Sequence, residues 1–82
     1  MKTTNVIKGF RAKKQLSQEN VAELLGITRQ TYNSLENDLL NNDFTLVFKL
    51  LKVLNISEQE VNEFFSTLKQ DYLSYKVSEN QI

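Results

Sequence analysis

The sequence predicts an all-α domain of five helices, the last one extended. Three observations carry this reading. Pro is absent and Gly occurs only at Gly9 and Gly26 in 82 residues, so helix interiors are rarely interrupted and few tight turns are expected. Apolar residues recur three and four positions apart along most of the chain, the period of a helix with one buried face. A hydroxyl or carboxylate residue stands ahead of four of these stretches, at Ser17, Thr28, Asp43 and Ser57, where its oxygen can accept from the free amides of a first turn.

The first helix is expected over residues 5–14. Val6, Ile7 and Phe10 form its apolar edge, and Gly9 inside it costs about 1 kcal/mol relative to Ala. The second, residues 18–25, follows the Ser17 cap and turns Val21, Ala22 and Leu25 to one side. Gly26 ends it in the left-handed conformation of a C-cap. Thr28 caps the third, residues 29–36. Ile27 and Tyr32 are spaced as a hydrophobic staple, and Tyr32 and Leu35 face inward. Residues 37–42 form a polar loop interrupted by Leu39 and Leu40, which either pack under it or meet a second subunit. Asp43 caps the fourth helix, residues 44–54, with Phe44, Val47, Phe48, Leu51 and Leu54 as its stripe. Ser57 and Glu60 form a capping-box pattern for the fifth, which carries Val61, Phe64, Phe65, Leu68 and Tyr72 and runs to about Tyr75. One domain is expected over residues 1–76, with a flexible tail over 77–82.

Composition narrows the function. The chain has no Cys and no His, which removes soft metal ligands, a thiol nucleophile, disulfides and the neutral-pH proton shuttle. A domain this small buries only about 60–65% of its unfolded surface and has little bulk to wall off a pocket. Glu58, Glu60 and Glu63 fall at a helix start and read as dipole partners rather than acids of a site. Neither an enzyme nor a cofactor is expected. No run approaches the roughly 20 apolar residues of a membrane span, and the opening MKTTNVIKGF has no signal-peptide core, so a cytoplasmic protein is expected. Net charge is zero. Residues 1–37 nonetheless hold six basic groups against three acidic, and residues 38–82 hold four against seven. A chain so divided can present one basic face.

Residues 18–36 carry the functional signal: helix, three-residue turn with Gly, helix. Ala22 lies where two such helices cross most closely, the spacing of a helix-turn-helix. The stretch LSQENVAELLGITRQTYNSLEN resembles the motif of the phage Cro/repressor-type (XRE-like) DNA-binding domains. Ile7-Lys8-Gly9-Phe10-Arg11 resembles the first helix of that family, and residues 44–57 its fourth helix and the turn beyond. The resemblance covers about residues 5–65 and implies a repressor-like five-helix fold. It also implies that the second helix of the motif enters the major groove of double-stranded DNA with its first residues at base edges. The base-reading set is then Arg29, Gln30, Thr31, Asn33 and Ser34. Arg29 suits guanine O6/N7, Gln30 suits adenine N6/N7, and the Thr31 methyl suits a thymine methyl. Ser17, Gln18, Thr28 and Asn37 are implied phosphate contacts, with Lys13, Lys14 and Lys8 adding attraction. Arg11 and Glu36 stand where the family has a partly buried ion pair tying the reading helix to the first helix.

Two departures matter. Where the family has Gly, basic residues and Pro after the reading helix, this chain has Asp38-Leu39-Leu40-Asn41-Asn42. Phosphate-seeking charge is lost there, and a single domain is expected to bind weakly. The fifth helix is also longer than in that family. Its Phe64, Phe65, Leu68, Tyr72 and Tyr75 either fold back on the core or form a two-fold dimer interface. The reading is a sequence-specific DNA-binding transcriptional regulator, a repressor holding a pseudo-palindromic operator as a homodimer. The alternatives are an antitoxin gripping a small protein partner, or a protein-interaction module that has lost DNA binding.

Overall fold

Each predicted helix is present in the computed structural model, whose described residues are 2–80 for the backbone and 2–74 for side chains. They are α1 Lys2–Lys13, α2 Gln18–Leu25, α3 Arg29–Asn37, α4 Phe44–Val53 and α5 Glu58–Asn80, with a 3-10 turn at Leu39–Asn41. No strand occurs among the described residues. The caps explain the boundaries. Ser17 Oγ accepts from Asn20 N–H at 3.0 Å, and Asn20 Oδ1 accepts from Ser17 N–H at 3.1 Å. Gly26 ends α2 at φ 72°, which a side chain rarely adopts. Thr28 Oγ1 accepts from Thr31 N–H at 3.0 Å and Asp43 Oδ1 from Thr45 N–H at 2.8 Å. Ser57 and Glu60 cap α5 reciprocally.

α1 begins at Lys2, earlier than its apolar pattern indicates. Its cap comes from α5: the Asp71 carboxylate accepts from Thr3 N–H at 2.9 Å, from Lys2 N–H at 3.3 Å and from the Thr3 hydroxyl. α5 continues through residues 77–80, where a flexible tail was expected. No Pro or Gly lies after Gly26 to stop it. Residues 81–82 lie outside the described residues.

One core gathers all five helices. Ile7 and Phe10 enter from α1, Val21 and Ala22 from α2, and Tyr32 and Leu35 from α3. Leu39 is buried beneath the loop that follows α3, a burial worth about 2 kcal/mol. The α4 stripe is rotated from the one expected. Val47, Leu50, Leu51 and Leu54 are buried, whereas Phe44 and Phe48 are each 55% exposed. α4 has more apolar residues than one helix face can bury, and the two phenylalanines fall on the flank toward α5. Phe64, for which core and subunit interface were both open, is fully buried in the core. Leu68 packs half-buried against that core. Phe65 and Tyr72 are exposed. The side chain of Tyr75 lies outside the described residues.

Candidate nucleic-acid interface

α2 packs on α3 across the three-residue turn, with Ala22 buried at the crossing. α3 is then fixed from behind through Glu36, which has no solvent exposure. Arg11 meets it with two parallel bonds, Nε to Oε2 at 2.7 Å and Nη2 to Oε1 at 3.1 Å. The Tyr32 hydroxyl donates to Oε2 at 2.5 Å, and Gln18 Nε2 donates to Oε1 at 3.1 Å. Burial alone would raise the Glu36 carboxyl; the bonds from Arg11, Tyr32 and Gln18 outweigh it and hold the group below the usual carboxylate range. Burial and the bond to Glu36 push the Tyr32 phenol far up, so it stays a donor. Arg11 Nη1 also donates to Leu16 O at 3.1 Å, and the Thr4 hydroxyl to Glu36 O at 2.8 Å. α3 is therefore clamped to α1 and α2 along its rear.

Its front is open. Arg29, Gln30, Thr31, Asn33, Ser34 and Asn37 are all exposed. The side chains of Arg29, Gln30, Ser34 and Asn37 make no hydrogen bond among the described residues. Thr31 is engaged with its cap, since its hydroxyl lies 2.8 Å from that of Thr28. Asn33 Oδ1 accepts from Gln18 Nε2 at 3.1 Å.

The expected phosphate contacts divide. The Ser17 hydroxyl caps α2, the Thr28 hydroxyl caps α3, and both Gln18 amide protons are spent on Asn33 and Glu36. What remains near the α2 start are the backbone N–H groups of Gln18 and Glu19, which have no intrahelical partner at a first turn. Lys13 and Lys14 point elsewhere. Lys13 Nζ lies 3.4 Å from Glu60 Oε2, and Lys14 Nζ donates to Asn55 O at 3.2 Å. Both contacts are with the α4–α5 junction rather than with α3. Lys8 is better placed: it is exposed and shares an α1 stripe with Thr4 and Arg11, both of which touch Glu36. The loop after α3 offers no cation, and Asp38 accepts from Asn41 Nδ2 at 3.0 Å.

Thr4, Tyr32 and the bridging role of Gln18 are additions to the sequence reading. The Tyr32–Glu36 spacing of four was a legible signal. Thr4 and Gln18 meet Glu36 only through tertiary packing.

A helix-turn-helix family profile matches residues 7–61. An uncharacterized HTH-type transcriptional regulator of Archaeoglobus fulgidus is 34% identical over 55 residues, covering 67% of this chain and 78% of that protein. A second one, of Methanocaldococcus jannaschii, is 32% identical over 57 residues, covering 70% and 86%. No solved structure matches. No helix among the described residues is long and apolar enough to cross a membrane.

Proposed function

The chain belongs to the XRE-type helix-turn-helix family, and on that premise we propose that it is a non-enzymatic DNA-binding transcriptional regulator, a repressor that holds a pseudo-palindromic operator as a dimer. The observation that carries the reading is the contrast between the two sides of α3. Its rear is locked by the Glu36 network, while Arg29 and Gln30 stand exposed at its first turn without internal partners. Free donors and acceptors on a fixed helix suit major-groove edges, Arg to guanine and Gln to adenine. Backbone amides at the α2 start and Lys8 supply phosphate contacts that fix register. Repression follows from occupancy, since a domain seated in a promoter's groove blocks it without further chemistry.

Dimerisation is supported by the outer face of α4 and α5. The Phe44 and Phe48 ring centroids are 6.2 Å apart, and those of Phe48 and Phe65 6.5 Å. With Tyr72, these half-exposed rings offer roughly 400 Å² of apolar surface. A standard interface takes about 800 Å² from each partner, so this patch suffices as its apolar centre. The interface set becomes Phe44, Phe48, Phe65 and Tyr72, with Phe64 withdrawn into the core.

Selection from random oligonucleotides tests the reading. The wild-type chain is expected to enrich a two-fold symmetric site. Arg29→Ala with Gln30→Ala should keep its helical circular dichroism yet lose preference for that site by at least about tenfold. Full retention of affinity and specificity by the double variant would overturn the assignment.

A further inference from the structure

α2 packs against α3 and α4 and leaves Leu24 outside, 61% exposed. The residue stands as a ridge between two shallow grooves. Leu25 and Val53 line the groove between α2 and α4, with Lys49 and Lys52 at its rim. Leu16, Asn20 and Glu23 line the groove on the other side. Leu16, Leu25 and Val53 are half-buried and packed against the core, so apolar surface continues from the Leu24 ridge into both grooves. The charges at the two edges are opposite and unspent. Glu23, Lys49 and Lys52 are exposed, and the ion pairs among the described residues are Arg11–Glu36 and Lys13–Glu60. Across the surface the row runs acid, apolar ridge, apolar groove, base. Turned through half a circle, that row matches itself.

We propose that this face is a docking surface for a second copy of the chain: Leu24 of each copy enters the α2–α4 groove of the other, and Glu23 of each meets Lys49 and Lys52 of the other. A two-fold contact requires such a self-complementary patch, in which residue i touches j and j touches i. Ridge, groove and both signs of charge stand side by side on one chain, so each half of the contact supplies what the other half needs. The face lies on the flank of α4 toward α2. It is separate from Phe44 and Phe48, on the flank toward Phe65 of α5. One apolar ridge with three charged neighbours is less than the roughly 800 Å² per partner of a standard interface. The contact is therefore weak between free chains and effective where two copies are held at high local concentration. Neighbouring sites on one DNA hold them so, and the contact then links copies bound side by side. That consequence, unlike the contact itself, rests on the DNA-reading function proposed above.

Two complementary variants of the full chain test it. Glu23→Lys makes every charge of the row basic, and Lys49→Glu with Lys52→Glu makes every charge acidic. Neither can dock on itself, and each can dock on the other. The changes fall at exposed positions, and dispersed amide spectra check that both variants fold. Nitrogen-labelled Glu23→Lys is titrated with the unlabelled acidic variant and, separately, with unlabelled Glu23→Lys. Amide signals of Leu24, Leu25 and Val53 should move in the first titration, with an affinity at least about tenfold tighter than in the second. The difference should shrink at high salt. The aromatic face is the same in both titrations and cancels. Adding Leu24→Ser to both variants should weaken the mixed contact by roughly tenfold. Equal responses in the two titrations overturn the proposal, as does a response centred on Phe65 and Tyr72 or a mixed contact that Leu24→Ser leaves unchanged. Each outcome is read without DNA, so failure of the contact and failure of the DNA-reading function are told apart.

Discussion

A carboxylate with no solvent exposure survives at Glu36 because Arg11, Tyr32 and Gln18 all donate to it. Taking Arg11 away leaves the charge buried without its cation, which typically costs about 3–5 kcal/mol. Arg11→Ala is expected to destabilise by about 3 kcal/mol in a urea melt; a loss under about 0.5 kcal/mol, the size of an ordinary surface change, would show that the clamp is incidental. The pH dependence has a definite sign. The folded-state pKa of Glu36 lies below its reference value of 4.5, so the unfolded chain takes up the proton first. The stabilisation is fully present above about pH 4.5 and is lost as pH falls through the lowered folded value. A urea midpoint followed downward from pH 6 should show this loss, and Arg11→Ala should reduce it. At this scale the sequence was partly readable. The Arg11–Glu36 pair followed from the resemblance to the family, and Tyr32 stands one helical turn before Glu36. The part played by Gln18 was hidden, because an amide at a helix start is as well suited to phosphate as to a neighbouring carboxylate.

Helix boundaries were legible wherever the cap is local. Ser17, Thr28, Asp43 and Ser57 each lie beside the helix they start, and Gly26 beside the one it ends. α1 is the exception, since its cap Asp71 is 68 residues away from Thr3 in the chain. No local pattern carries that information. The bonds from Thr3 and Lys2 hold the Asp71 carboxyl below its usual range, against burial, which would raise it. The middle of α5 thus caps a helix at the other end of the chain. Asp71→Ala is expected to cost about 1 kcal/mol, the size of a lost N-cap. Amide exchange at Lys2 and Thr3 should accelerate while α3 amides keep their protection. Unchanged exchange in the first turn of α1 would rule out the capping role. α4 shows the complementary limit. Periodicity identified the helix, but several neighbouring stripes of Phe44–Val53 were apolar enough to be the buried one. Packing against α2 chose the face centred on Val47, Leu50 and Leu51, and left two phenylalanines outside.

Across the whole molecule, the zero net charge conceals a division of labour. Three of the seven acids of the C-terminal half cap helix starts, Asp43 on α4, Glu60 on α5 and Asp71 on α1, while Lys8 and Arg29 stand exposed. One domain of this kind gains little from phosphate neutralisation and binds non-specifically only weakly. A second domain would supply the missing affinity by linking two half-sites one helical turn, about 34 Å, apart. In the proposed dimer the aromatic face makes that link. Phe44 opens α4 directly after the loop that ends the reading helix, and Phe48 and Phe65 continue the patch onto α5. Phe44→Ser with Phe48→Ser should keep the fold and cost the monomer about 2 kcal/mol in a urea melt, because each ring is 55% exposed and loses only part of a buried side chain's worth. In sedimentation, wild type on its operator should bind as two copies of a 9.5 kDa chain, and the double variant as one. Its affinity for a single half-site should match wild type, while its affinity for the full site falls to the half-site value. Wild type that occupies the full operator as a single copy would place the aromatic face outside DNA binding altogether.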